Sequence, residues 1–181
     1  MKYFPVFLDA KKISAMVIGG GEVATRKIEL LLKSTTNITV MSESVCASVE
    51  RLINLNQLTW LQHNYQAGHL ADINLVIAAT DIMSVNKAIY QEATPLNILT
   101  NVVDQPELCT YITPAIIDRS PMIIALSSSA SSPILIRMLR EQIEKTLPQA
   151  YGKLAELVGV SGLVNDEFMG KLNLISNVKD D

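Results

Sequence analysis

The chain has 181 residues, a net charge of −3 and 49% hydrophobic residues, enough for one domain or one domain with an appendage around a real core. The acidic balance and the lack of a basic run argue against nucleic-acid binding. Cys46 and Cys109 lie too far apart for a metal cluster or a disulfide framework, and they read as buried free thiols of a reducing cytoplasm. No signal-peptide apolar stretch follows Met1-Lys2-Tyr3-Phe4-Pro5, and no run is long enough to span a bilayer. A soluble cytoplasmic protein, with no membrane partner, is the expectation.

The first predicted element is a strand over residues 15–18, and it runs into Gly19-Gly20-Gly21-Glu22-Val23-Ala24. A helix over 23–33 follows, with Val23, Ala24, Ile28, Leu31 and Leu32 at helical spacing. This is G-x-G-x-x-A between strand and helix, the context a dinucleotide fingerprint requires. Gly19 permits the tight turn, Gly21 lets a pyrophosphate approach the backbone, and Ala24 lets helix pack on strand. Glu22 and Val23 open the helix, whose free N–H groups and positive dipole end suit phosphate.

Strands over 37–41, 58–62, 75–79 and 97–103 alternate with helices over 46–55 and 84–93, and Ser84 is a candidate N-cap. Such alternation gives an α/β fold with a doubly wound parallel sheet. After the second strand, nucleotide-binding folds usually carry an acidic residue for the ribose hydroxyls. Met41 cannot serve, so Glu43 is the choice, with Ser44 beside it. The absence of a basic residue there favours NAD over NADP. Thr80 and Asp81 follow the fourth strand and are candidates for the nicotinamide side; Asp81 as a helix cap is the competing reading.

Beyond residue 113 the pattern changes. Residues 111–114 and 122–126 are short strand candidates, 133–147 a strong helix with Pro133 in its first turn, and 149–158 a further helical segment. His63 and His69 have no ligand-like spacing, and no protein-bound metal is expected. A short-chain dehydrogenase is excluded by the lack of a suitably placed Tyr-x-x-x-Lys pair.

Several segments share one resemblance. Tyr3-Phe4-Pro5-Val6-Phe7 precedes the glycine turn and Thr25-Arg26-Lys27. Ala78-Ala79-Thr80-Asp81 is followed by Val85-Asn86, and Asn101-Val102-Val103-Asp104 leads to Pro114-Ala115-Ile116-Ile117-Asp118-Arg119-Ser120-Pro121. Ser132-Pro133 then precedes Leu139-Arg140 and Glu144. Over about residues 3–150, in order and spacing, this resembles the precorrin-2 dehydrogenase module of siroheme synthases, some members of which are also sirohydrochlorin ferrochelatases.

The resemblance implies NAD-dependent oxidation of precorrin-2 to sirohydrochlorin in siroheme biosynthesis. It leaves open whether ferrous iron, as a second substrate, is then inserted to give siroheme. It implies a homodimer with a Rossmann domain over 1–113, a dimerisation segment over 114–147 and a short helical domain over 148–181. Asp104, at the C-terminal end of a predicted strand, matches the family's candidate general base. A turn-forming role before Pro106 is the competing reading. Asn101, Arg119, Ser128, Arg137 and Arg140 are the candidates for substrate binding, the arginines because guanidinium forks fit carboxylates; a solvated helix face is the competing reading for Arg137 and Arg140.

The resemblance also has departures. Ser129 and Ala130 stand where the family usually has glycines, which puts the local loop conformation in doubt. Ser128 matches a proposed phosphorylation site of two-domain siroheme synthases, where phosphate would oppose a polycarboxylate substrate; capping the next helix is the competing role. Two-domain siroheme synthases continue into a methyltransferase module, which is not expected within these 181 residues. These departures motivate the alternative of a catalytically inactive NAD-binding redox sensor or regulatory module.

Overall fold

The computed structural model describes residues 2–129 and 131–161. Expectations for residues 162–181, and for Ala130, lie outside the described residues. The chain divides into two compact units, Met1–Ile112 and one beginning at Thr113.

In the first unit five strands form one parallel sheet: β1 (Ala15–Ile18), β2 (Ile38–Met41), β3 (Thr59–Leu61), β4 (Leu75–Ala78) and β5 (Leu99–Val102). The spatial order is β3-β2-β1-β4-β5. Every residue of β1 and of β4 is buried, as their unbroken apolar runs require of strands covered on both faces. Three helices connect the sheet: α1 (Glu22–Leu32), α2 (Ala47–Asn56) and α3 (Met83–Ala93).

The inward positions of these helices build two cores. Ala24 and Ile28 of α1 and Val49 and Ile53 of α2 pack with Ala15, Val17, Val40 and Ile77. Ile89 and Ala93 of α3 pack with Met16, Ile18, Val76 and Ala78. Side chains such as Ile28 and Ile89, with no exposed surface, each stabilise the fold by about 1.5–3 kcal/mol. Strand order reverses between β1 and β4, and open α/β sheets bind ligands in the crevice at the carboxyl ends of strands at such a switch point.

In the second unit, β6 (Ala115–Arg119) and β7 (Met122–Leu126) form an antiparallel hairpin, followed by α4 (Pro133–Thr146) and α5 (Ala150–Ser161). The strand expected over 111–114 is not formed, and β6 begins after Pro114. Pro114 has no N–H to donate to a ladder. The chain just before it runs back beside β5, where Thr110 N–H donates to the Thr100 carbonyl at 2.9 Å.

The start of α3 also departs from expectation. Its N-cap is Ile82, not Ser84 or Asp81. The Thr80 hydroxyl accepts the Ile82 N–H at 3.2 Å, and the buried Asn86 amide donates to the Thr80 carbonyl at 2.9 Å. Thr80 thus fixes the turn that leads into α3, while no side chain caps the helix itself.

Candidate nucleotide and catalytic site

Gly19 has φ +127°, a conformation open to glycine but strained for other residues. A Cβ there would lie 2.3 Å from the Ala79 carbonyl oxygen. The turns after β1 and β4 therefore meet backbone to backbone at the switch point. Gly20 was not given a role by the sequence reading, yet a Cβ on it would meet the Ser44 carbonyl oxygen at 2.2 Å. Gly21 is the opposite case, because a Cβ on it meets nothing within 4 Å.

Gly21 is the N-cap of α1 and offers no side-chain cap, so the first N–H groups, Glu22 and Val23 among them, keep no intrahelical partner. An open glycine at an uncapped helix start is the cradle a pyrophosphate needs, and these residues fit the dinucleotide. Thr25 is buried behind it, and its hydroxyl donates to the Gly21 carbonyl at 3.2 Å, which holds the helix start in place.

The remaining cofactor candidates stand on neighbouring strand ends. Glu43 is exposed after β2, and its carboxylate accepts the Asn64 amide at 3.0 Å. The Ser44 carbonyl accepts the Ser42 hydroxyl at 2.7 Å and closes the same turn. After β4, Thr80 also donates to Asn86 Oδ1 at 2.7 Å, while Asp81 is exposed.

Asn101 and Asp104 stand at the end of β5, with Cys109 following in the same turn region and Lys27 reaching in from α1. Asp104 is exposed, with φ +59°, a left-handed conformation that a non-glycine residue adopts at a cost. Its turn is tied down by Cys109, whose thiol accepts the Val102 N–H at 3.2 Å and lies 3.3 Å from the Gln105 carbonyl. Asn101 is buried and donates to the Tyr111 carbonyl at 3.3 Å. Its Oδ1 accepts a hydrogen bond from Lys27 Nζ at 3.3 Å.

Burial holds the Lys27 ammonium below its ordinary pKa; the nearby Cys109 and Asp104 push the other way. Burial raises the Cys109 thiol and, together with Cys109, the Tyr111 hydroxyl. The signal for Lys27 was present in the sequence. It falls three and four residues after Ala24 and Val23, on the inward face of α1.

The substrate candidates of the second unit are committed in different ways. Arg119 donates through Nε to the Leu147 carbonyl at 2.8 Å and through Nη1 to the Asp118 carbonyl at 2.9 Å. Arg140 pairs with Glu144 at 3.7 Å on α4, and Arg137 is exposed. The Ser128 hydroxyl accepts the N–H of Ser132, the N-cap of α4, at 3.0 Å. Ser129 stands at φ +53°, a conformation that favours glycine.

The thiols are free but half-buried rather than fully buried. His63 and His69, six residues apart, are brought to a ring separation of 4.9 Å by their loop. Among the described residues no three His, Cys, Asp or Glu side chains form a metal-binding group, and no helix is long and apolar enough to cross a membrane.

Residues 6–115, which include this whole set of strand ends, match a family model described as "Putative NAD(P)-binding". The chain belongs to this NAD(P)-binding family. It is 43% identical over 159 residues to the siroheme synthase of Ruthia magnifica subsp. Calyptogena magnifica, covering 88% of this chain and 34% of that protein. It is 45% identical over 156 residues to the siroheme synthase of Pseudoalteromonas atlantica, covering 86% and 34%. The chain thus spans about a third of the length of these relatives. Among solved structures, one named SirC, precorrin-2 dehydrogenase, superimposes with a TM-score of 0.75. It is 24% identical, and the match covers 94% of this chain and 87% of that one, so the two share a fold.

Proposed function

We propose that the chain is an NAD-dependent precorrin-2 dehydrogenase that yields sirohydrochlorin. The observation that carries this reading is the pairing of an open glycine cradle at Gly21 with a strained, exposed carboxylate at Asp104. Both stand at carboxyl ends of strands in one parallel sheet. The similarity to siroheme synthases over 88% of the chain supports the choice of substrate.

When bound, NAD accepts a hydride from precorrin-2. The chain's own residues do the rest. The backbone at Gly19 to Val23 holds the pyrophosphate, and Glu43 with Ser44 faces the ribose. Thr80 and Asp81 border the nicotinamide side. Asp104 takes the proton that the tetrapyrrole loses as the hydride leaves, a role worth about 10²–10⁴-fold in rate. An exposed carboxylate on a left-handed residue, in a turn whose backbone the Cys109 thiol ties down, is pre-set for this task, since strain of this kind clusters at functional sites.

The second unit supplies substrate contacts from Ser128, Arg137 and Arg140, and Arg119 shapes its hairpin. Its residues 114–147 serve as the homodimer contact, and residues 148–161, which carry α5, as part of a small helical domain. The outward apolar side chains of α4, with Ile134 71%, Leu135 50% and Met138 55% exposed, support burial against a second copy. The cytoplasm is the compartment this reading assigns.

Anaerobic incubation with precorrin-2 and NAD, with and without ferrous iron, tests the proposal. Sirohydrochlorin formation by the wild type and its loss in Asp104→Ala are expected. Siroheme in the iron arm makes the protein a ferrochelatase as well, whereas NAD binding without turnover leaves the redox-sensor alternative standing.

A further inference from the structure

Lys27 presents a half-buried ammonium at the end of the sheet that carries Asp104, and among the described residues it forms no ion pair. Its hydrogen-bond partner is a neutral oxygen, Asn101 Oδ1, at 3.3 Å. A charge taken out of water without a counter-charge is costly. The support beneath it is nonetheless built. Asn101 is buried, and its amide nitrogen is spent on the Tyr111 carbonyl at 3.3 Å and the Cys109 sulfur at 3.6 Å, which turns Oδ1 towards the lysine.

The acidic groups near Lys27 are the Cys109 thiol and, to a lesser degree, Asp104, and it forms an ion pair with neither. The cation is held in place and its own anion is missing. Of the arginines expected to meet substrate carboxylates, Arg119 is committed to two backbone carbonyls, whereas Arg137 and Arg140 are exposed on α4 and leave room for a further cation.

We infer that Lys27 is a substrate-recognition residue: its ammonium, presented on Asn101 at the carboxyl end of β5, receives one peripheral carboxylate of the tetrapyrrole and so orients the macrocycle beside Asp104. The inference rests on the dehydrogenase reading above and names the recognition chemistry of that site. A carboxylate arriving there supplies the missing counter-charge in a partly dry setting, where a charge-assisted hydrogen bond is strongest.

The test compares wild type, Lys27→Met and Lys27→Arg in the complete chain. It measures steady-state oxidation of precorrin-2, NAD affinity by calorimetry, sirohydrochlorin binding by fluorescence, and thermal melting. Lys27→Met is expected to raise KM for precorrin-2 by about tenfold or more. Its kcat should stay within about threefold and its NAD affinity within about twofold of wild type, with no loss of melting temperature, because an uncompensated buried charge has been removed. Lys27→Arg should restore most of the KM, and added salt should raise KM more steeply in wild type than in Lys27→Met.

An unchanged KM in Lys27→Met overturns the inference while leaving the dehydrogenase reading intact. A joint fall of kcat, NAD affinity and melting temperature does the same, by making Lys27 a support of the fold. A wild type that neither oxidises precorrin-2 nor binds sirohydrochlorin overturns the reading and this inference together.

Discussion

The α-carbon of Gly20 faces the Ser44 carbonyl so closely that a Cβ would sit 2.2 Å from that oxygen, whereas one residue later Gly21 faces open space. The two glycines therefore answer to different demands. Gly20→Ala forces backbone against backbone and should destabilise the protein by about 1–3 kcal/mol. Gly21→Ala should cost no more than about 1 kcal/mol, since its φ of −92° suits alanine although alanine caps a helix less well, yet weaken NAD binding at least about tenfold by filling the cradle. Thermal melts and NAD calorimetry on both variants check this, and equal loss of stability would show that Gly21 too serves only the fold.

Asp104 should trade stability for activity. Its φ of +59° costs a non-glycine residue about 1–2 kcal/mol, partly offset on substitution by glycine's greater freedom in the unfolded chain. Asp104→Gly is expected to hold or raise stability, by up to about 1 kcal/mol, while turnover falls about 10²–10⁴-fold. A variant that loses stability and keeps turnover would return Asp104 to the role of turn former.

Alkaline pH should unfold the first unit through its tyrosines. Burial raises the pKa of Tyr65 and of Tyr111 above the ordinary value of 10.0, with Glu92 adding to the effect at Tyr65. A raised folded pKa means that the unfolded chain loses these protons first. The stability is therefore fully present below pH 10 and declines as pH climbs towards the folded values. Lys27 has the opposite sign: its lowered pKa adds stability as pH approaches 10.5. The raised Cys109 thiol has the sign of the tyrosines and acts from its ordinary value of 9.0, so urea unfolding between pH 8 and 11 should show a net decline that begins above pH 9 and is shallower in Tyr111→Phe than in wild type.

Glu92 anchors the loop between β3 and β4. Its carboxylate accepts the Tyr65 hydroxyl at 2.5 Å, the Gly68 N–H at 3.0 Å and the Leu70 N–H at 3.2 Å. Glu92→Ala strips all three donors of their acceptor and should cost about 1–3 kcal/mol. Hydrogen exchange should quicken at Gly68 and Leu70, while the amides of β1, buried in the sheet, exchange as before.

Much of the first unit was legible because its signals are local. Apolar runs at 15–18 and 75–78 can bury both faces of a strand, and the glycine turn announces itself by spacing. What escaped depends on contacts distant in sequence. The requirement for Gly20 comes from Ser44, the Asp104 turn is fixed by Cys109, and the environment of Lys27 is made by Asn101, 74 positions away. The start of α3 depends on Thr80, which holds the preceding turn from outside the helix, and the strand expected over 111–114 does not form because Thr110 and Tyr111 are bonded to β5 and Pro114 lacks an N–H. The glycine that the resemblance implies at position 129 marked a place where Ser129 does take a positive φ.

The central claim is that a pyridine nucleotide on the Gly19–Gly21 turn takes a hydride from precorrin-2 beside Asp104. Anaerobic stopped-flow absorbance, following NADH and sirohydrochlorin in the same cuvette, tests it most directly. The account predicts one NADH for each sirohydrochlorin in wild type and neither product in Asp104→Ala. Sirohydrochlorin formed without NADH, or formed equally by the variant, would contradict it.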